Sequence, residues 1–235
     1  MNIFLQADSL AVASQILPED TQPVEQTLSI WSLLTSGGAG GIAIMIVLFL
    51  LLFMALFLYF ERIMAINKAS KIDSSFMNNI KLHISSGKID AAKMLCAQTN
   101  SPVARLIEKG ISRIGKPLED INTAIENAGN LELYKLEKNT SMLATISGAG
   151  PMIGFLGTVL GMILAFHKMA SGGGQIEVGA LAEGIYTAMT TTVVGLVVGI
   201  IAYMGYNHLV VKTNKIVNQM EANAVEFLDL LNEPV

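Results

Sequence analysis

Hydrophobic residues along this chain gather in three long blocks rather than alternating with polar ones. The first, about Gly38 to Phe60, contains the run IAIMIVLFLLLFMALFLYF. The second and third run roughly from Leu143 to Ala170 and from Ala182 to Asn207. Each block is near the ~20 residues that a helix needs to cross ~30 Å of hydrocarbon. The pattern predicts an all-α membrane protein with helices over 37–61, 143–170 and 182–207, joined across a short loop, 171–181. Between the first two blocks, 62–142 lack strand alternation and read as a helical unit.

Within that unit, Ser101-Pro102 has the form of an N-cap followed by proline at the first helical position. Val103, Leu106, Ile107, Gly110, Ile111 and Ile114 follow as an apolar stripe. Pro117 opens another helix with Glu119 and Asp120 in its first turn, where the helix dipole favours acids. Ile121, Ile125, Ala128 and Leu131 share one face of it, and with no strong breaker after Gly129 it is expected to run on into the second span. After the third span, Val210, Thr213, Val217, Met220, Ala224, Phe227 and Leu231 step by threes and fours. That seam over 208–235 calls for partner helices, in this chain or in a sister copy. Near the N-terminus, Ile3, Phe4, Ala7, Leu10, Ala11 and Leu17 fall at helical spacing, so 1–36 read as an interfacial amphipathic helix, a polar linker and an anchor at Trp31.

Composition agrees with a membrane protein: 52% of residues are hydrophobic and 14% charged, where soluble domains carry about a quarter charged. No Lys or Arg occurs before Arg62, and twelve of the fifteen lie between the first and second spans. The positive-inside rule then predicts an outer N-terminus, an inner 62–142 unit and an inner C-terminus. The net charge of −4 and the mildly basic inner loop give no footprint for nucleic acid. Cys96, the single cysteine, has no neighbouring Cys or His and falls on the reducing side.

The second and third blocks are unlike lipid anchors. ATISGAGPMIGFLGTVLGMILAFHKM carries two glycine pairs four apart, Gly150 with Gly154 and Gly157 with Gly161, and LAEGIYTAMTTTVVGLVVGIIAYMGYN carries Gly195 and Gly199. Small residues four apart let helices approach closely. Ser147, Pro151, Gly154, Thr158, Gly161 and Ala165 form one small, slightly polar stripe. Thr187, Thr190, Thr191 and Thr192 put hydroxyls around the third span. Each hydroxyl has a bland reading, a bond to its own backbone carbonyl one turn back, but four in six residues call for a neighbouring helix or a cavity. Transporters usually carry an ionisable group at depth; here His167, Glu183 and His208 all sit near span ends. No catalytic set, metal spacing or nucleotide fingerprint occurs, so neither enzyme activity nor a cofactor or metal is expected.

At GAGPMIGFLGTVLGMILAF and GIYTAMTTTVVGLVVGIIAYMGYN the chain resembles the MotA/TolQ/ExbB proton channel family, its ExbB branch first and TolQ second. The order of parts is similar too: three spans and a large inner loop after the first. The resemblance implies a homopentameric ring in a bacterial inner membrane, with the second and third spans lining a pore. A dimer of single-span ExbD- or TolR-like helices sits in that pore and carries the proton on a membrane aspartate. Ion flow turns that dimer and energises TonB-dependent transport across the outer membrane, or the Tol-Pal system. The pore threonines of the family correspond to Thr158 and Thr192. Ser147, Thr187, Thr191 and Glu183 complete the expected ion path, although Thr187 stands where the family often has glutamate and Glu183 lies one turn away. A partner-independent channel and a purely structural scaffold are the competing readings.

Overall fold

The structure is a computed structural model that describes residues 38–70, 73, 75–171 and 178–232. The expected N-terminal amphipathic helix, the Trp31 anchor and most of the loop at 171–181 lie outside the described residues. Among those described there are seven helices and no strand. They are α1 Gly38–Ala69, α2 Phe76–Ser85, α3 Ile89–Gln98, α4 Pro102–Ile111, α5 Leu118–Glu137, α6 Thr140–Ser171 and α7 Val178–Asn232. Three of them, α1, α6 and α7, are long and apolar enough to cross a membrane.

The third span and the tail form one unbroken helix of 55 residues, about 80 Å long at 1.5 Å per residue. No proline or left-handed residue interrupts it, so the apolar span carries straight on into the seam that follows. Of that seam Thr213, Met220 and Phe227 are buried, whereas Leu209 and Ile216 take the inner places expected of Val210 and Val217, which are half-buried like Ala224 and Leu231. Phe227 fits beside Gly110 of α4, where a Cβ would lie 2.6 Å from its ring. α4 keeps the cap expected of it: Ser101 Oγ accepts from Ala104 N at 3.1 Å, with Pro102 at the first position. Its stripe, Val103, Leu106, Ile107 and Ile111, is buried against α5 and α7.

α5 differs from expectation in two ways. It does not run into the second span but ends at Glu137, and Asn139 turns the chain with φ 62° before α6 begins at Thr140. Asparagine is among the few residues that take up left-handed backbone readily, so it serves as a breaker without glycine or proline. Leu131 is 56% exposed, and Glu132 and Leu136 occupy the buried face instead. Glu132 is held there by Arg105 of α4 at 2.6 Å and by Lys135 at 2.7 Å. Burial alone would raise its carboxyl, but these bonds outweigh that and hold it below the usual range.

In the spanning region α6 and α7 form a tight hairpin against which α1 packs. Met45, Leu48, Ala55, Leu58 and Ile66 of α1 face inward. Leu50, Phe53, Phe57 and Phe60 face out, an apolar surface suited to lipid. At one end of the spans His208, expected near a span end, meets Tyr59 across α1 and α7, with Tyr59 Oη and His208 Nδ1 2.8 Å apart.

Candidate functional site: a hydroxyl cluster on the α6–α7 hairpin

Glycine sets how close the hairpin can be. A Cβ at Gly154 would lie 2.8 Å from Thr191 O and 3.1 Å from Gly195 Cα; one at Gly195 would lie 2.6 Å from Gly150 O. Gly150 meets Gly195 and Gly199, Gly157 meets Thr191, and Gly161 meets Ala188. Pro151 sits inside α6 and lacks the amide that would otherwise bond Ser147 O. Gly199 approaches at that place, where a Cβ would be 2.7 Å from the proline ring and 2.9 Å from Ser147 O. Backbone therefore meets backbone from Ser147 to Gly154, about two turns, and beyond it Gly157 and Gly161 make room for the Thr191 and Ala188 side chains.

Such an approach puts carbonyl oxygens of each helix within reach of hydroxyls on the other. Thr192 Oγ1 donates to Gly154 O at 3.1 Å, across the hairpin. Thr191 Oγ1 lies 2.7 Å from Ala188 O in its own helix and 3.1 Å from Gly154 O in the other. Thr158 Oγ1 is 3.1 Å from Ala188 O, 3.4 Å from Gly154 O and in hydrogen-bond contact with Thr192 Oγ1. Thr158, Thr191 and Thr192 thus share two carbonyls. Thr191 is buried; Thr158 and Thr192 are half-buried at the rim of the seam.

The other expected residues stand apart from this cluster. Thr187 lies on the α1 side, lining with Gly41, Ile44, Gly161 and Thr191 a hollow of ≈ 30 Å³, room for about one water molecule. Ser147 Oγ donates to Ala144 O at 2.7 Å, eleven residues and about 16 Å along the axis from Thr158. Thr190 donates to Tyr186 O at 3.0 Å, the local backbone bond. Glu183 belongs to α7, but its side chain lies outside the described residues. Sequence reasoning missed the two acceptors, Gly154 O and Ala188 O, because a carbonyl has no signature in sequence; the only clue is that both belong to small residues facing the partner helix. Among the described residues no three His, Cys, Asp or Glu side chains come together to hold a metal.

A charge-free pair of helices, joined through hydroxyls and carbonyls, can offer hydrogen bonds to something beside it without fixing a charge. Comparison with known proteins agrees with that character. Residues 98–222 match the MotA/TolQ/ExbB proton channel family, a family of channels rather than enzymes. A biopolymer transport protein ExbB homolog of Methanothermobacter thermautotrophicus is 27% identical over 57% of this chain and 47% of its own length. The Tol-Pal system protein TolQ of Haemophilus influenzae is 33% identical over 57% of this chain and 54% of its own. A Synechocystis ExbB-like protein is 29% identical over 69% of this chain and 77% of its own. The chain thus spans about half the length of the first two. Matched over more than half of its length, with the second span, most of the third helix and the hydroxyl cluster inside the match, the chain belongs to the MotA/TolQ/ExbB proton channel family.

Proposed function

We propose that this chain is the wall subunit of a motor driven by the proton-motive force, ExbB-like in role. Five copies form a ring in a bacterial inner membrane, with α6 and α7 turned to the centre and α1 to lipid. Two single-span ExbD- or TolR-like helices occupy the centre and carry the proton on a carboxyl group. The N-terminus faces the periplasm, and α2–α5 and the C-terminal part of α7 lie in the cytoplasm, as the distribution of Lys and Arg supports. The output is a TonB-like protein acting at outer-membrane receptors.

The observation that carries this reading is the rim pair Thr158 and Thr192, polar yet free of charge, on the one hairpin whose backbone is too close-packed to be a lipid anchor. A charge crossing the membrane field is worth about 2.3 kcal/mol per 100 mV, so a wall that trapped the carrier by more than this would stall it. Ser147, Thr187, Thr191 and Glu183 are secondary members of the path. A Tol-Pal output is the second reading, favoured by the match to TolQ of Haemophilus influenzae.

Co-purification with a single-span partner and mass measurement of the intact complex tests the assembly. Thr158→Val and Thr192→Val are expected to leave that mass unchanged and to reduce partner-dependent energy transfer. Full transport in both variants refutes the assignment, and the partner that co-purifies, with loss of receptor-mediated uptake or of envelope integrity, separates the two outputs.

A further inference from the structure

A cavity of ≈ 550 Å³ lies where the elbow between α5 and α6 faces α7, about 27 Å along α6 from Thr158. Tyr206 lines it just short of His208, where the apolar run of α7 ends, and Asn214 lines it about 12 Å further along that helix. The cavity therefore runs from the edge of the hydrocarbon through the headgroup zone of a bilayer, which is about 5–8 Å deep on each face. Two features of its wall ask for a ligand. Thr140 lines it and is 7% exposed, yet its Oγ1 has no hydrogen-bond partner in the protein, whereas buried hydroxyls are paired as a rule. Thr140 also opens α6, and the first four amides of a helix have no partner within it. Among the described residues Met142 N finds one, Asn139 O at 3.2 Å, which leaves the amides of Thr140 and Ser141 for an anion. The ionic side chains lining the cavity are Glu137 and Lys138, one of each sign and both exposed.

We propose that this cavity seats the headgroup of a zwitterionic phospholipid, phosphoethanolamine in chemistry. The phosphate oxygens accept from the Thr140 and Ser141 amides, the Thr140 hydroxyl and the Lys138 ammonium, and the ligand's own ammonium donates to the Glu137 carboxylate. An anion alone would meet Glu137 as a like charge. A cation alone would leave the two amides and Thr140 Oγ1 unpaired. A ligand that carries both signs satisfies the whole wall, and its acyl chains leave past Met142, which is 47% exposed, along the apolar face of α6. Seated there, the lipid ties the elbow at Asn139, whose left-handed backbone joins α5 to α6, to α7. The inference does not depend on the motor reading; it requires only that α1, α6 and α7 stand in a bilayer.

The test is native mass spectrometry of the full-length chain, delipidated in detergent and titrated with phosphatidylethanolamine, phosphatidylglycerol or soluble phosphoethanolamine. The expected result is one phosphatidylethanolamine per chain, held about three- to fivefold more tightly than phosphatidylglycerol. Thr140→Val should weaken it about tenfold, the loss of one buried charge-assisted hydrogen bond, and Lys138→Gln about three- to fivefold, since Lys138 is exposed. Glu137→Gln should remove the preference over phosphatidylglycerol. Thermal melts separate binding from folding: without lipid Thr140→Val should melt at or above the parent, and phosphatidylethanolamine should raise the parent's midpoint more than the variant's. Phosphatidylglycerol bound as tightly as phosphatidylethanolamine by the parent overturns the proposal. So does equal binding by the parent, Thr140→Val and Lys138→Gln, because apolar surface elsewhere would then hold the lipid. Soluble phosphoethanolamine binding as tightly as the lipid overturns a membrane source for the headgroup. A Thr140→Val that melts well below the parent without lipid overturns it too, since the hydroxyl would then have its partner in the protein. Assembled rings that shed the lipid which single chains bind would show a second copy covering the cavity, and that also overturns it.

Discussion

Gly195→Ala adds one methyl group where two backbones already touch. Its carbon would lie 2.6 Å from Gly150 O, 2.8 Å from Gly154 Cα and 3.1 Å from Gly154 N. Ordinary contact begins near 3.4 Å, so α6 must retreat by about 0.8 Å, and no side-chain torsion relieves a clash with backbone. That retreat draws the 3.1 Å bonds across the hairpin, Thr192 to Gly154 O and Thr158 to Ala188 O, beyond bonding distance, while Thr191 loses its second acceptor and keeps Ala188 O at 2.7 Å. Overpacking costs about 1–3 kcal/mol and the two bonds about 1 kcal/mol each. Alanine's better helix propensity returns about 1 kcal/mol. The net loss is about 2–4 kcal/mol. Gly148→Ala is the control, because a Cβ there meets nothing within 4 Å and only the propensity gain remains. Gly205→Ala is intermediate: its Cβ would be 3.2 Å from the Tyr59 ring, which can turn aside, so under about 1 kcal/mol is expected. The assay is unfolding of the three detergent-purified variants against the parent in mixed micelles of increasing SDS. Gly195→Ala unfolding together with Gly148→Ala would refute the argument that backbone contact fixes the hairpin.

Three further outcomes follow from the membrane-distal helices. Glu132→Gln should cost about 1–2 kcal/mol at pH 7, discounted because Arg105 and Lys135 are partly open to water. Because the Glu132 carboxyl is held below its usual range, its contribution is present above the unfolded value near pH ~4.3 and is lost as pH falls through the lower folded value. The gap between parent and variant should therefore narrow in denaturation curves as pH is lowered from 7 towards 3, and a gap as wide at pH 3 as at pH 7 would refute the ion-pair account. Cys96, with its thiol pushed up to about 12 by burial and secondarily by Glu108, should react with maleimide at pH 8 at least ~100-fold more slowly in the native protein than after unfolding; equal rates would refute its burial. Asn139→Gly should preserve the elbow, whereas Asn139→Val should lower stability by about 1–2 kcal/mol, and thermal melts that rank them the other way would remove φ as the reason for the break.

Periodicity and small-residue spacing made much of the fold readable. The three spans, the Ser101 cap and the α4 stripe all follow from rules that act within one turn or one heptad. What stayed hidden depends on a partner distant in sequence. Leu131 satisfies the spacing set by Ile121, Ile125 and Ala128, yet Glu132 takes the inner position because Arg105, 27 residues earlier, meets it there. Likewise the seam on α7 announced that something covers it, while the contact of α4 and α5 with that helix required the packed arrangement. Among the threonines the count was legible and the roles were not. Thr191 and Thr192 are adjacent, so they differ by about 100° around the helix, and only the position of α6 makes one buried and the other a rim residue.

The glycines and the hydroxyls of the hairpin act as one device. Gly154 O is reachable from Thr192 because neither Gly154 nor Gly195 holds the helices apart with a side chain. Ala188 O is reachable from Thr158 because Gly161 lets Ala188 sit against α6. A substitution at any of these small residues therefore removes bonds along with close packing, and loss of transport in Gly154→Ala or Gly195→Ala would not mark glycine as part of an ion path. The informative contrast is at constant backbone. Thr158→Ser keeps both the acceptor and the bond to Ala188 O, Thr158→Val keeps the shape and loses both, and neither adds an atom to the seam. If the wall's task is hydrogen bonding, the serine variant should transport and the valine variant should fail while the two unfold within about 1 kcal/mol of one another; if the task is packing alone, transport should follow stability in both.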